Sequence, residues 1–121
     1  MPRFLLVDDE ALLAELLNDW LVELGHEVVG PAACVDSALS LIAQEGKTLS
    51  GAILDVTLGQ GDSYPIADEL NRLGIPFAFA TGHGVDGLDP RFRGAMTLFK
   101  PFEFDDLRAT LSRMLQPASP V

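Results

Sequence analysis

Five short strand-like runs recur along the chain, Phe4 to Val7, Glu27 to Val29, Ala52 to Leu54, Phe77 to Ala80 and Met96 to Phe99, with helix-patterned segments between them. Phe4 to Val7, Ala52 to Leu54 and Phe77 to Ala80 are apolar at every position instead of alternating, as strands covered on both faces are. A parallel sheet with helices on each side follows. The first intervening segment places Leu12, Leu13, Leu16, Leu17, Trp20, Leu21 and Leu24 at helical spacing, all read as core, and Gly25 sits where a left-handed residue would end the helix. Asp36-Ser37 can cap a second helix with Leu39, Ile42 and Ala43 on one side. Ser63 or Tyr64 before Pro65 can open a third, carrying Ile66, Ala67, Leu70 and Leu73 to Gly74. Glu103 to Leu115 predicts a last helix with Phe104, Leu107, Leu111 and Leu115 inward, and Met96, Phe99 and Phe104 are expected to pack the sheet against it. Residues 82–95 break the rhythm, because Gly82, Gly84, Gly87, Pro90 and Gly94 oppose a long regular helix. A short or irregular fourth helix is expected there. The sum is an open, doubly wound α/β domain over residues 1–116, followed by a frayed tail at 117–121, with its functional groups at the carboxyl ends of the strands.

A length of 121 residues suits one such domain and leaves no room for a second. No apolar run approaches the roughly 20 residues that cross a bilayer. The first ten residues, ending in Asp8-Asp9-Glu10, meet acids too soon for a secretory leader, so a cytoplasmic location is expected. Cys34 stands alone, which removes internal disulfides and thiolate metal sites; a small hydrophobic residue on a buried face is its expected role. Eighteen acids against 8 Lys plus Arg give a net charge of -10, which argues against nucleic-acid or anionic-membrane binding and for a protein partner. Of the two lysines, Lys47 and Lys100, the second lies among apolar neighbours in Leu98-Phe99-Lys100-Pro101-Phe102 and asks for a chemical reason.

That reason lies at the strand ends. Asp8 and Asp9 follow the first run, Asp55 follows the third, the fourth ends at Thr81 and the fifth at Lys100. A parallel sheet points all of these into one crevice. Two carboxylates about 5 Å apart at an effective dielectric near 20 repel by roughly 3 kcal/mol, so three together need a cation or raised pKa values. Magnesium suits an oxygen site of one or two carboxylates plus phosphate oxygens. Lys100 and the Thr81 hydroxyl would bind the remaining oxygens of a phosphoryl group, which describes phosphoryl transfer to a carboxylate nucleophile.

Leu6-Val7-Asp8-Asp9-Glu10, Leu54-Asp55, Thr81 and Lys100-Pro101-Phe102 resemble the signature of two-component response regulator receiver domains across almost the whole chain. The resemblance implies a flavodoxin-like fold with the five runs in the order 2-1-3-4-5. It also implies that Asp55 is phosphorylated by a sensor histidine kinase or histidine phosphotransfer protein, and that Asp9 binds magnesium directly and Asp8 largely through water. The Thr57 carbonyl would complete the metal site, and Thr81 and Lys100 would contact the acquired phosphoryl oxygens. The Lys100-Pro101 bond would be cis, aiming the ammonium into the crevice. More narrowly, Pro76-Phe77-Ala78-Phe79-Ala80-Thr81-Gly82-His83-Gly84 with Ser63-Tyr64-Pro65-Ile66-Ala67-Asp68 resembles the stand-alone FATGUY regulators of alphaproteobacterial kinase networks, general stress signalling included. Such a chain carries no output domain and acts through a downstream regulator protein. It is not an enzyme in the ordinary sense, since hydrolysis of its own aspartyl phosphate serves as a timer.

Two departures from that pattern matter. Receivers usually carry an aromatic residue three positions before the lysine, where this chain has Thr97; the switch region is expected at Thr81, Gly82, His83 and Thr97, with rearrangement of residues 82–95 replacing the usual ring movement. Gly59 replaces the proline many receivers have after the acceptor. Blander readings are that Asp9 only caps the first helix, that Asp55 only begins a turn, that Lys100 only snorkels from the sheet edge, and that Glu10 is only a favourable charge in a first helical turn. Competing functions are a pseudo-receiver that binds partners without phosphorylation, and a phosphatase of the haloacid dehalogenase type. The latter wants an acid where this chain has Thr57.

Overall fold

The computed structural model describes residues 2–58, 61–82 and 88–115. Its five-stranded sheet is built from β1 (Arg3–Val7), β2 (Glu27–Ala32), β3 (Gly51–Asp55), β6 (Phe77–Thr81) and β7 (Met96–Phe99); β4 (Thr57–Leu58) and β5 (Gly61–Asp62) form a two-residue antiparallel ladder just after β3. The order is β2-β1-β3-β6-β7 and every main-sheet pairing is parallel, which is the flavodoxin-like receiver order expected from the sequence. Four helices accompany the sheet among the described residues: α1 (Ala11–Glu23), α2 (Val35–Glu45), α3 (Tyr64–Leu73) and α4 (Phe104–Leu115).

Strand pleating divides the core in two. Leu5, Val7, Ala52, Leu54, Phe77 and Phe79 face Ala38 and Ile42 of α2 and Ile66, Ala67 and Leu70 of α3. Phe4, Leu6, Ile53, Ala78 and Ala80 face Leu17 and Leu21 of α1 and Leu107, Leu111 and Met114 of α4. Each central strand thus has one helix layer per face, which is why β3 and β6 are buried at every position. Gly25 and Gly74 end their helices at φ 85° and 72°, a backbone that favours glycine.

Several expectations at the periphery are corrected. Leu12 is 84% exposed and Leu16 41%; only Ala14, Leu17 and Leu21 of α1 are fully buried, because seven apolar positions span more than the one stripe a helix can lay on a sheet. With Leu13, Trp20, Pro101 and Phe102, these outward leucines line a groove of about 560 Å³. In α4 Met114, not Leu115, turns inward, and Phe99 at the sheet edge is 47% exposed. Ala43 faces out, with Ala38 packing beside Ile42 instead. Cys34 is exposed and occupies the position before α2, so Asp36 and Ser37 lie inside its first turn. In the 82–95 unit the described residues contain one 3-10 turn, Pro90–Phe92, and no α-helix. His83 and the 117–121 tail lie outside the described residues.

Gly51 begins β3 where a Cβ would sit 2.9 Å from Met114 Sδ and 2.9 Å from the Phe4 ring. Gly51→Ala is therefore expected to destabilise the domain by about 1–3 kcal/mol, read as a lower urea midpoint at unchanged m-value.

Candidate phosphoacceptor site

Register builds this site before any side chain is considered. Val7 lies opposite Leu54, Asp55 opposite Ala80, and Thr81 opposite Phe99. One step further the chain delivers Asp8, Asp55, Thr81 and Lys100 to a single edge. Backbone bonds continue past the strands to hold them: Asp8 N donates to Ala32 O at 3.0 Å, Val56 N to Ala80 O at 3.1 Å, and Lys100 N to Thr81 O at 2.8 Å. The Lys100-Pro101 peptide is cis, as the resemblance implies.

The cleft that results encloses about 340 Å³ and is lined by Asp9, Glu10, Asp55, Val56, Thr57, Thr81, Gly82 and Lys100. Carboxylate oxygens of Asp8, Asp9 and Asp55 all lie within 4.8 Å of one another. Lys100 Nζ sits 3.4 Å from Asp55 Oδ2 and 3.5 Å from Glu10 Oε1, so a single ammonium is shared between Asp55 and a neighbouring acid. Asp8 and Asp55 are buried, whereas Asp9 is exposed at the rim.

The electrostatics follow from burial and crowding. Loss of solvent pushes the Asp8 carboxyl up to about 6, the Asp55 charge adds to the rise, and the bond from Glu10 N to Asp8 Oδ1 at 2.8 Å and the Lys100 charge oppose it. Asp55 is raised for the same first reason, with Lys100 and the Thr57 amide pulling it down. Burial alone would lower Lys100, but Asp55, Asp8 and Glu10 outweigh it and hold the ammonium above the ordinary lysine value.

The donor set fits a hard divalent cation. Asp8 Oδ2 is buried and accepts no hydrogen bond, and two further carboxylates stand within ligand reach. An orphaned anionic oxygen at such a place is satisfied by an ion that prefers oxygen ligands.

Of the residues singled out in the sequence, Asp8, Asp9, Asp55, Thr57, Thr81, Gly82 and Lys100 are brought together. Thr97 is not. It pairs with Phe79 in the sheet, donates its hydroxyl to Ala95 O at 3.1 Å, and lines a different cleft with Phe99, Phe102 and Asp106. Glu10, not Asp9, holds the N-cap position of α1, and its side chain makes no capping bond. Glu10, expected only as a favourable charge in a first helical turn, lines the cleft and faces Lys100. Its place directly after Asp8-Asp9 was the available signal.

The chain is 39% identical to SdrG from Sphingomonas melonis Fr1, whose solution structure superposes with a TM-score of 0.83 over 96% of this chain and 98% of that one. SdrG has also been solved in a BeF3-activated conformation, with a TM-score of 0.79. Among curated proteins it is 31% identical to the phyllosphere-induced regulator PhyR of Methylorubrum extorquens, over 93% of this chain and 43% of PhyR. It is also 31% identical to the two-component response regulator PhoP of Pseudomonas aeruginosa, over 97% of this chain and 53% of PhoP. The chain thus spans about half the length of the curated relatives it matches. No protein-family model matches it.

A raised carboxyl pKa has a definite sign. The folded state holds the Asp8 proton up to about pH 6, the unfolded chain only to about 3.8, so the native state binds more protons between those values and stability falls as pH rises through them. Without divalent cations the melting temperature is expected to climb as pH drops from 7.5 to 5. Asp8→Asn should flatten that profile and stabilise the metal-free domain by about 1–3 kcal/mol at pH 7.5; a profile unchanged by the substitution would place the strain elsewhere.

Proposed function

The chain belongs to the response regulator receiver domains, and on that footing we propose that Asp55 accepts a phosphoryl group from the phosphohistidine of a sensor histidine kinase or histidine phosphotransfer protein. The observation that carries this reading is the Lys100 ammonium 3.4 Å from Asp55 Oδ2 in a cleft shared with Asp9 and Thr81. A carboxylate oxygen of Asp55 attacks phosphorus, an O–P bond forms as the N–P bond breaks, and the electron pair leaves with the imidazole. Lys100 favours the ionised, nucleophilic form of Asp55 beforehand and meets charge on the phosphoryl oxygens during transfer. The Thr81 hydroxyl is the second donor to those oxygens.

Asp8, Asp9, Asp55 and the Thr57 carbonyl would hold magnesium, with Asp8 largely through water. Bound there, the ion supplies positive charge that offsets carboxylate repulsion and complements phosphoryl oxygens. What supports it is the buried, unbonded Asp8 Oδ2 among three clustered acids.

Residues 1–116 form the signalling unit in this proposal, and its output is a changed protein-binding surface, with self-hydrolysis of the aspartyl phosphate as the timer. The net charge of -10 supports a protein partner over nucleic acid. No described helix is long and apolar enough to cross a membrane, and a cytoplasmic site of action is part of the proposal. We extend it to FATGUY-type networks, general stress signalling included, with support from the Pro76 to Gly84 sequence and the 39% identity to SdrG.

Incubation with magnesium and acetyl phosphate, or with a phosphorylated kinase, should add one base-labile phosphoryl group to the wild type and none to Asp55→Asn, read by mass. Magnesium alone should raise the melting temperature by mass action. A magnesium response without phosphate uptake from any donor would favour the pseudo-receiver. Turnover of a small phosphate ester lost in Asp55→Asn would favour the phosphatase.

A further inference from the structure

Thr97 leaves the domain without a ring where receivers usually place one, yet another aromatic side chain joins the acceptor turn to the residues that precede β7. Tyr64 opens α3 directly after Ser63, whose amide donates to Val56 O at 2.9 Å, while Val56 N is bonded to Ala80 O of β6. The Tyr64 backbone is therefore fastened to the turn that follows Asp55. Its ring lies edge-on to Phe79 at 5.8 Å and stacks on Phe92 at 5.2 Å with the planes 10° apart. Its hydroxyl accepts a hydrogen bond from Asp89 N at 2.7 Å. One helical turn along α3, Asp68 accepts hydrogen bonds from both terminal guanidinium nitrogens of Arg91 at 2.5 and 3.1 Å, and that guanidinium covers the Phe92 ring at 4.4 Å.

We propose that Tyr64 and Asp68 clamp residues 88–92 against α3 in the unphosphorylated domain, and that phosphorylation of Asp55 releases the clamp. This rests on the phosphoacceptor reading above. Each contact is individually small, and an exposed ion pair especially so. All of them converge on residues 89–92, which have a single 3-10 turn of their own, so the position of the segment depends on partners in α3. Two links carry a displacement at the cleft to the Tyr64 ring: the Val56–Ser63 backbone bond on the Asp55 side, and Phe79, two residues before Thr81, on the β6 side. Phe92 is buried against Phe77 and Phe79 as well as Tyr64, so its release would change apolar surface, which is what a protein partner reads.

Linkage gives the test its direction: if a phosphoryl mimic opens the clamp, opening the clamp must strengthen the mimic by the same factor. The probe is beryllofluoride with magnesium, with amide hydrogen exchange followed by NMR on the full chain. In the wild type the Asp89 amide should be protected without beryllofluoride and exchange at least about tenfold faster with it. Tyr64→Phe keeps the ring and removes the hydroxyl acceptor, so Asp89 should exchange about tenfold faster without the probe, while β3 amides stay unchanged. The same variant, and Asp68→Asn independently, should bind beryllofluoride about three- to tenfold more tightly. Uptake by the wild type with Asp89 still protected, or unchanged affinity in both variants, overturns the release step. No uptake by the wild type, seen as unmoved Asp55 and Lys100 resonances, overturns the phosphoacceptor reading and the release step with it; the Asp89 comparison without the probe still decides whether the clamp exists.

Discussion

Three carboxylates within 4.8 Å of one another, two of them buried, are an arrangement that folding alone disfavours. At about 3 kcal/mol per close pair in a medium of intermediate dielectric, their repulsion takes a sizeable share of the stability of a domain this small. One ammonium, itself shared between Asp55 and Glu10, does not neutralise it. The cluster persists because its backbone is fixed by bonds that have nothing to do with charge: Asp8 N to Ala32 O, Val56 N to Ala80 O, Lys100 N to Thr81 O. Behind those bonds stand β1, β3 and β6, where Phe4, Leu5, Leu6, Ile53, Leu54 and Phe79 are all but fully buried. The apolar sheet holds open a site whose strain a bound cation would relieve. Burial also raises Asp8, so relief can come from a proton instead.

This division of labour explains what could be read from the sequence. The central strands announce themselves because burial on two faces removes polar residues from both, and the acids stand out because they follow such runs without a gap. The meeting of Asp8, Asp9, Asp55, Thr81 and Lys100 follows from those two features in a parallel sheet, whereas the strand order was legible only through the resemblance to receiver domains. Where an element is covered on one side only, the pattern is weaker. The leucines of α1 satisfy a helical period on more than one face, and periodicity alone could not reveal that Leu12 and Leu16 point to solvent beside Phe102. Strand β2 runs on through Gly30-Pro31 to Ala32, past the run read from the sequence, and α2 opens at Val35, ahead of the Asp36-Ser37 pair, with Cys34 exposed before it. The β4–β5 ladder is too short for any period to show.

Glu10 illustrates a different limit. A glutamate at a helix start has an adequate local explanation in the helix dipole, and nothing along the chain shows that residue 100 will come to lie 3.5 Å from it. Its partner was visible in the sequence, but the contact is tertiary.

Thr97 holds an ordinary place in the parallel β6–β7 register. Its hydroxyl is engaged locally by Ala95 O, and it lines an edge cleft with Phe99, Phe102 and Asp106. Phe79, its partner across the β6–β7 pairing, lies on the same face of the sheet, where it meets Tyr64, Phe77 and Phe92. Aromatic contact around β6 is therefore concentrated on the α3 side. Alternation along a strand sends adjacent residues to opposite layers, so movement of the chain at Thr81 reaches the ring cluster through Phe79, while Ala78 and Ala80 offer the α1–α4 layer only methyl groups. A domain with an aromatic at position 97 has a bulky reporter on its β7 edge; here Tyr64 and Phe92 supply the rings beside Phe79, and the clamp proposed above places the change at α3 and residues 88–92.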